Sequence, residues 1–179
     1  LIESTQIQVV NNSDLISLTL PQLDSVQGML RIENNNQLSI VHLPLLESVA
    51  SSFEIISNPR LDTLFASSLQ FVSNQLRIYN NDFLIDLALL SLTSVDGPLT
   101  ISDNDRLISI AINALDTLNG SLTVQDNELL EVLDLPTLSL LNGDANILYS
   151  GDELDANLSA LQNINGALRI HNNDIDSLL

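Results

Sequence analysis

The chain has 179 residues, 45% of them apolar but only 3% aromatic, so a long core has to be built from Leu, Ile and Val. Its 23 acidic side chains stand against 5 basic ones, a formal charge of −18 that makes nucleic acid and anionic membrane surfaces poor partners. Cysteine is absent, which excludes disulfides and thiolate chemistry, and no apolar run nears the ~20 residues of a membrane-spanning helix.

In chain order the same unit recurs from end to end. Val26, Val49, Val72, Val95, Leu118, Leu141 and Ile164 each open a unit of 23 residues, without gap or insertion in the spacing. The shared pattern is V-x-G-x-L-x-I-x-N-N-x-x-L-x-x-L-x-L-P-x-L-x-S. A strict period of this kind predicts a solenoid, each coil burying its apolar edge against the next.

Counting the opening residue as slot 1, a short extended segment is expected around it. A tight turn or a positive φ is expected at slot 3, where Gly28, Gly97, Gly120, Gly143 and Gly166 fall. Slots 5 to 8 read as a strand: slot 5 (Leu30, Phe53, Leu76, Leu99) and the β-branched slot 7 (Ile32, Ile55, Ile78, Ile101) alternate with variable slots 6 and 8. Slot 10 is Asn in seven of eight units, Asn12 to Asn173. Buried at a corner, such amides can bond their own turn and the next coil as a ladder. Slots 16 and 18, as in Leu18/Leu20 and Leu133/Leu135, give another short strand. Pro21, Pro44 and Pro136 at slot 19 mark a bend, and slot 21 is Leu in all seven complete units.

Nothing between these segments has the periodicity of a helix. The expected fold is all-β, a parallel β-solenoid of about eight coils with an Asn ladder, forming one domain over residues 1–179. At a coil spacing of ~4.8 Å the rod is ~35–40 Å long. The seventh unit departs from the pattern. Ser150 replaces the ladder Asn, and Gly151-Asp152-Glu153 moves the slot-13 Leu on to Leu154, either as a tolerated bulge or as a loop re-aimed for function.

The run L-P-x-L-x-S-V-x-G-x-L-x-I-x-N-N-x-x-L, best seen in Leu43-Pro44-Leu45-Leu46-Glu47-Ser48-Val49 and from Val95 to Asn104, resembles the receptor L-domain and the leucine-rich unit of GPI-anchored fungal cell-wall proteins. Similar arrays occur in bacterial surface proteins. The resemblance spans essentially the whole chain and is a signature of fold. It implies a right-handed leucine-rich solenoid with a binding or cell-surface role, and it brings no catalytic residues. The cysteine-stapled ends of that family are missing here, and the chain reads as a piece of a longer surface protein.

Enzymatic chemistry finds little to work with. His42 and His171 lie far apart in the stack, so neither a Ser-His-Asp set nor a histidine metal site can be assembled. Acidic residues flank the Asn ladder at slots 9 and 11. Of these Asp103, Asp105, Asp126 and Glu128, on neighbouring coils, are the candidate for calcium, a hard cation that takes clustered carboxylates; Asp82 and Asp174 share those slots. A solvated turn of turn-favouring residues explains the same positions. No other cofactor is expected.

Slots 6 and 8 are the expected binding surface, since an exposed sheet face displays them in rows. Arg31, Glu54, Arg77 and Arg169 fall in slot 6, Ile56 and Tyr79 in slot 8, and Phe83 lies nearby in sequence. Together Arg31, Glu54, Ile56, Arg77, Tyr79 and Phe83 offer the cationic and apolar mixture that interfaces favour. Cross-strand pairing of Arg31 and Arg77 with Glu54 is the competing explanation. An Asp-rich, Lys-free surface suits a secreted or high-salt setting as well as a merely soluble acidic one. Sequons at Asn11, Asn119 and Asn157 are about as many as chance gives. The expected function is therefore a non-enzymatic extracellular or cell-surface domain binding a protein or glycan, without inserting in a membrane. The alternatives are a structural spacer and a polysaccharide-active solenoid enzyme.

Overall fold

The computed structural model describes residues 3–151, 154–173 and 175–178, and these form strands and turns with no helix. The chain is a parallel β-solenoid of seven full coils and part of an eighth. Coil 1 begins at Glu3 and every later coil at a slot-1 residue. Through the body of the stack strands pair with their equivalents 23 residues away, as in Leu30↔Phe53 and Phe53↔Leu76; the register differs at the two ends, in Glu3↔Ser25 and Leu154↔Ile175, and Thr63–Phe65 is not paired with Asp86–Ala88. A constant offset follows from the constant period, because a slip of one residue would turn each apolar row out of the core.

Three sheets wrap the core. The first has eight two-residue strands, seven of them at slots 23 and 1, such as Ser25–Val26 and Ser48–Val49, and the first, Glu3–Ser4, one place later. The second has eight four-residue strands at slots 5 to 8, from Ile7–Val10 to Leu168–His171. The third uses slots 15 to 17, one place earlier than the apolar pair at 16 and 18 suggests, because slot 18 already turns toward the proline corner. Slots 1, 5, 7, 13, 16, 18 and 21 fill the interior, with Val49, Leu76, Ile78, Leu84, Leu87, Leu89 and Leu92 all fully buried. Their aliphatic rows carry the hydrophobic stabilisation.

The corners correct one expectation. The slot-3 glycines do not have positive φ; among non-glycine residues that conformation occurs once per coil at slot 9, in Asn11, Asn34, Ser57, Asn80, Asp103, Asp126, Tyr149 and Asn172. Asn and Asp tolerate this left-handed geometry better than other non-glycine residues, which explains their frequency there. Glycine at slot 3 answers a different need. A Cβ at Gly120 would run into the Gly97–Pro98 backbone of the preceding coil, so the requirement is close approach.

The Asn ladder forms as expected. Asn81 is fully buried; its side-chain amide donates to the Ile55, Tyr79 and Asn104 oxygens at 3.1, 3.0 and 3.3 Å. Its own Oδ1 accepts from the Asn58 backbone and side-chain amides at 3.2 and 3.3 Å. One residue thus ties three coils together. At coil 7 Ser150 keeps only part of this role, its hydroxyl accepting from the Asn127 N–H at 3.4 Å. There Gly151 takes φ +64° and Leu154 is buried in place of the missing slot-13 Leu; Asp152 and Glu153 lie outside the described residues, as do Asp174 and Leu179.

The third sheet is broken. Ser17–Thr19, Ile40–His42 and Thr63–Phe65 form one piece, and the five strands from Asp86–Ala88 onward form another. The flanking hydrogen bonds fail at the same place. Slot-18 N–H groups reach the next coil's slot-17 carbonyl from Leu43 to Phe65 and from Leu89 to Ala111, but no such bond joins Ala66 to Ala88. Coil 3 also carries the unusual core pair, Phe53 where most other coils have Leu and Ala66 where they have Leu or Ile. The larger ring at slot 5 and the smaller methyl at slot 18 change how this coil fills its share of the core.

Candidate functional site

On the second sheet the expected patch is largely occupied with itself. Glu54 is only 4% exposed, between Arg31 and Arg77 in the slot-6 row, with carboxylate to guanidinium distances of 3.7 and 3.8 Å. It also accepts from Gln75 Nε2 at 2.7 Å. Arg31 is held at 2.6 Å by Glu33, the first cause of its raised pKa. The Arg77 guanidinium lies 4.8 Å from the centre of the Tyr79 ring. Ile56, expected as an exposed contact, is 2% exposed, because it sits in the slot-8 row between the long side chains of Glu33 and Tyr79. Phe83 is not part of this patch. It occupies slot 12, on the corner leading to the third sheet, under the Arg106 guanidinium at 4.7 Å.

The acidic corner is explained by backbone geometry. Asp103 and Asp126 are the left-handed slot-9 residues, and Asp126 accepts from Gln125 Nε2 at 2.6 Å. Asp105 and Glu128 follow at slot 11, in the adjoining turn. Among the described residues no group of three or more His, Asp or Glu side chains is placed to hold a metal ion. Partial burial raises the Asp82 pKa, with Asp105 and then Asp103 adding like charge, against a hydrogen bond to its own backbone that lowers it.

The third face differs. Most exposed large apolar side chains stand on it: Phe83 and Leu129 at slot 12, Ile16, Ile85 and Ile108 at slot 14, Ile40 and Val132 at slot 15. Phe65 at slot 17, Leu90 at slot 19 and Leu45 at slot 20 complete the rows. Exposed apolar side chains concentrated on one face are the kind of surface that interaction sites use. At the break between coils 3 and 4 the face is indented by a groove of about 450 Å³, lined by Asp62, Thr63, Phe65, Ile85, Asp86 and Leu90 among others. A second depression of similar volume lies beside it, lined by Ile16, Gln37, Ser39, Arg60 and Phe83. The His42 ring packs on Phe65 at 4.9 Å and fixes one wall.

Of the residues lining the groove and the depression beside it only Phe83 belongs to the expected patch, yet the signal of the others is visible in the repeat. Slots 14, 15, 17 and 19 have no core duty, so Ile, Phe or Leu there is an excess apolar residue. Compared with models of known families, with curated proteins and with solved structures, the chain matches none.

Proposed function

We propose that the rod is a non-enzymatic recognition domain of an extracellular or cell-surface protein, and that it engages a protein or glycan partner through its third face. The observation that carries this reading is the concentration of exposed apolar side chains on that face, around a groove where the sheet is open. Likeness of the leucine-rich unit to receptor L-domains and cell-wall arrays supports the setting. On the second sheet Arg31 and Arg77 both pair in charge with the nearly buried Glu54, which leaves less for a charged ligand to gain there.

Labelled protein applied to arrays of glycans and extracellular proteins tests the reading. Binding should be lost when Phe65, Ile85 and Leu90 are replaced together by Ser, and kept when Arg77→Gln and Tyr79→Ser are combined. Binding lost only in the second variant returns the site to the second sheet. Binding by neither wild type nor variant makes the rod a spacer.

A further inference from the structure

The two end faces of the rod differ in hydrogen-bonding polarity, and the difference selects what each of them fits. We infer that the open edge of coil 8 docks on the open edge of coil 1 of a second copy, so that rods join head to tail.

The Asn ladder has a direction. From coil 1 to coil 5 the Asn backbone N–H and side-chain amide donate to the Asn Oδ1 of the following coil, as Asn35 does to Asn58 at 3.1 and 3.0 Å. The row ends on donors. Asn173 Nδ2 reaches back to the Ile147 carbonyl at 2.8 Å, but its backbone N–H and second amide hydrogen have no acceptor among the described residues. The row begins on an acceptor. Asn12 donates to Asn35 Oδ1 at 3.0 and 3.1 Å, while no described donor reaches the Oδ1 of Asn12 itself. The main chain repeats this polarity. Slot-9 N–H groups donate to the next coil's slot-8 carbonyl, from Asn11 to Glu33 and from Tyr149 to His171. That pattern leaves the Asn172 N–H without an acceptor and turns the Val10 carbonyl, the slot-8 acceptor of coil 1, to the open edge. Unpaired edges of this kind are templates for another chain.

The core rows are open in matching slots. Leu168 at slot 5 is 48% exposed and Ile170 at slot 7 half-buried, whereas Ala145 and Ile147 one coil earlier are buried. Ile7 and Val9 hold the same slots in coil 1 and are half-buried, whereas Leu30 and Ile32 are buried. Joining the ends covers these rows as every internal junction does. A copy turned end for end would set acceptor against acceptor or donor against donor, so the ladder admits one orientation. Slots 6 and 8 then place Arg169 and His171 beside Gln8 and Val10 of the next copy, with no carboxylate facing another in these rows. The third sheet need not run across the junction, since coils 3 and 4 stay stacked through the first two. Because the contact joins two different surfaces it extends into a filament. The charge of −18 on each copy opposes association, so screening by salt favours it.

The test is sedimentation of the 179-residue chain from about 10 μM to about 1 mM, in low and in high salt. The mean mass should rise about twofold or more over that range, and further with salt. Leu168→Arg blocks one edge and Ile7→Arg the other, and each variant alone should associate about tenfold more weakly or less. Mixed, they should form a one-to-one pair and nothing longer, because each keeps one open edge of the opposite kind. Unmoved ¹⁵N amide signals of Asn58, Asn81 and Asn104 show that both variants fold. In the wild type, shifts with concentration should fall on Asn12, Asn172 and Asn173. A wild-type chain that stays monomeric throughout overturns the inference. So does association that survives in either variant alone, which would mean that like ends meet. Shifts centred on Phe65 and Ile85 would mean side-by-side contact through the third face, and overturn it too.

Discussion

The second and third sheets are built from the same repeat, at the same offset, over the same core, yet they meet solvent differently. The second runs through eight strands unbroken, and its outward row pairs Arg31, Glu54 and Arg77 across adjacent coils. The third splits after Thr63–Phe65, and its outward rows expose Ile, Leu and Phe with few partners. Continuity of backbone pairing thus goes with side chains paired in charge across coils, and interruption with exposed apolar surface. A solenoid can separate stability from recognition by giving each its own face, because neighbouring coils need only enough shared pairing to stay stacked.

The largest effect should come from the ladder that borders the continuous sheet. Asn81→Ala leaves the Asn58 amides and the Ile55 and Tyr79 carbonyls without their buried partner, so unfolding in urea should show a loss of about 3 kcal/mol or more. Asp86→Ala on the broken face removes one exposed bond to Ser109 and should cost about 0.5 kcal/mol or less. Equal losses would mean that the two faces contribute alike.

Next in size is the core of coil 3. Ala66→Leu alone crowds a core that already holds Phe53 and should cost about 1–3 kcal/mol. Combined with Phe53→Leu it recreates the pair found in most other coils, and the cost should fall below about 1 kcal/mol. If that pair causes the break, amide exchange at Ala66 should slow toward that of Leu43 and Leu89 in the double variant. Exchange that stays fast would place the cause elsewhere.

This coil also shows what is legible in a repeat and what is not. The strands at slots 5 to 8, the Asn ladder and the buried rows are visible because each repeats at every coil, so pattern alone reveals them. The break is invisible to pattern, since Phe53 and Ala66 are both apolar residues at apolar slots and only their volumes differ. Slot-3 glycine was legible as a constraint but not as a kind, because close approach of Gly120 to Gly97 and a positive φ leave the same residue in the sequence. Ile56 and Glu54 were assigned to the correct face, yet alternation says nothing of neighbours long enough to cover them.

Smaller again is the coupling across the second sheet. Because Arg77 is 36% exposed and 3.8 Å from Glu54, a double-mutant cycle of Glu54→Gln with Arg77→Gln should give a coupling of about 1 kcal/mol or less. Most of the cost of Glu54→Gln should then survive in the Arg77→Gln background, coming from a buried amide NH2 that replaces a carboxylate oxygen, while its oxygen can still accept from Gln75.

The subtlest contrast is in the pH dependence of two carboxylates. Asp144 precedes the second-sheet strand of coil 7, and its pKa is lowered first by the Ala167 N–H at 2.8 Å and then by Arg169 at 2.6 Å. A folded pKa below the unfolded 3.8 means its contribution is complete above that value and is lost as pH falls through the folded one. Asp82 lies at the corner leading to the broken sheet, where burial first, and then the like charges of Asp105 and Asp103, raise its pKa. Its penalty is therefore absent below 3.8 and develops as pH rises through the raised value. Melting temperatures measured from acid to neutral pH should show Asp144→Asn flattening the acid limb. Asp82→Asn should instead lift stability on the neutral side. The same response from both variants would mean that the two corners treat charge alike, and that the continuous face has no special supply of partners.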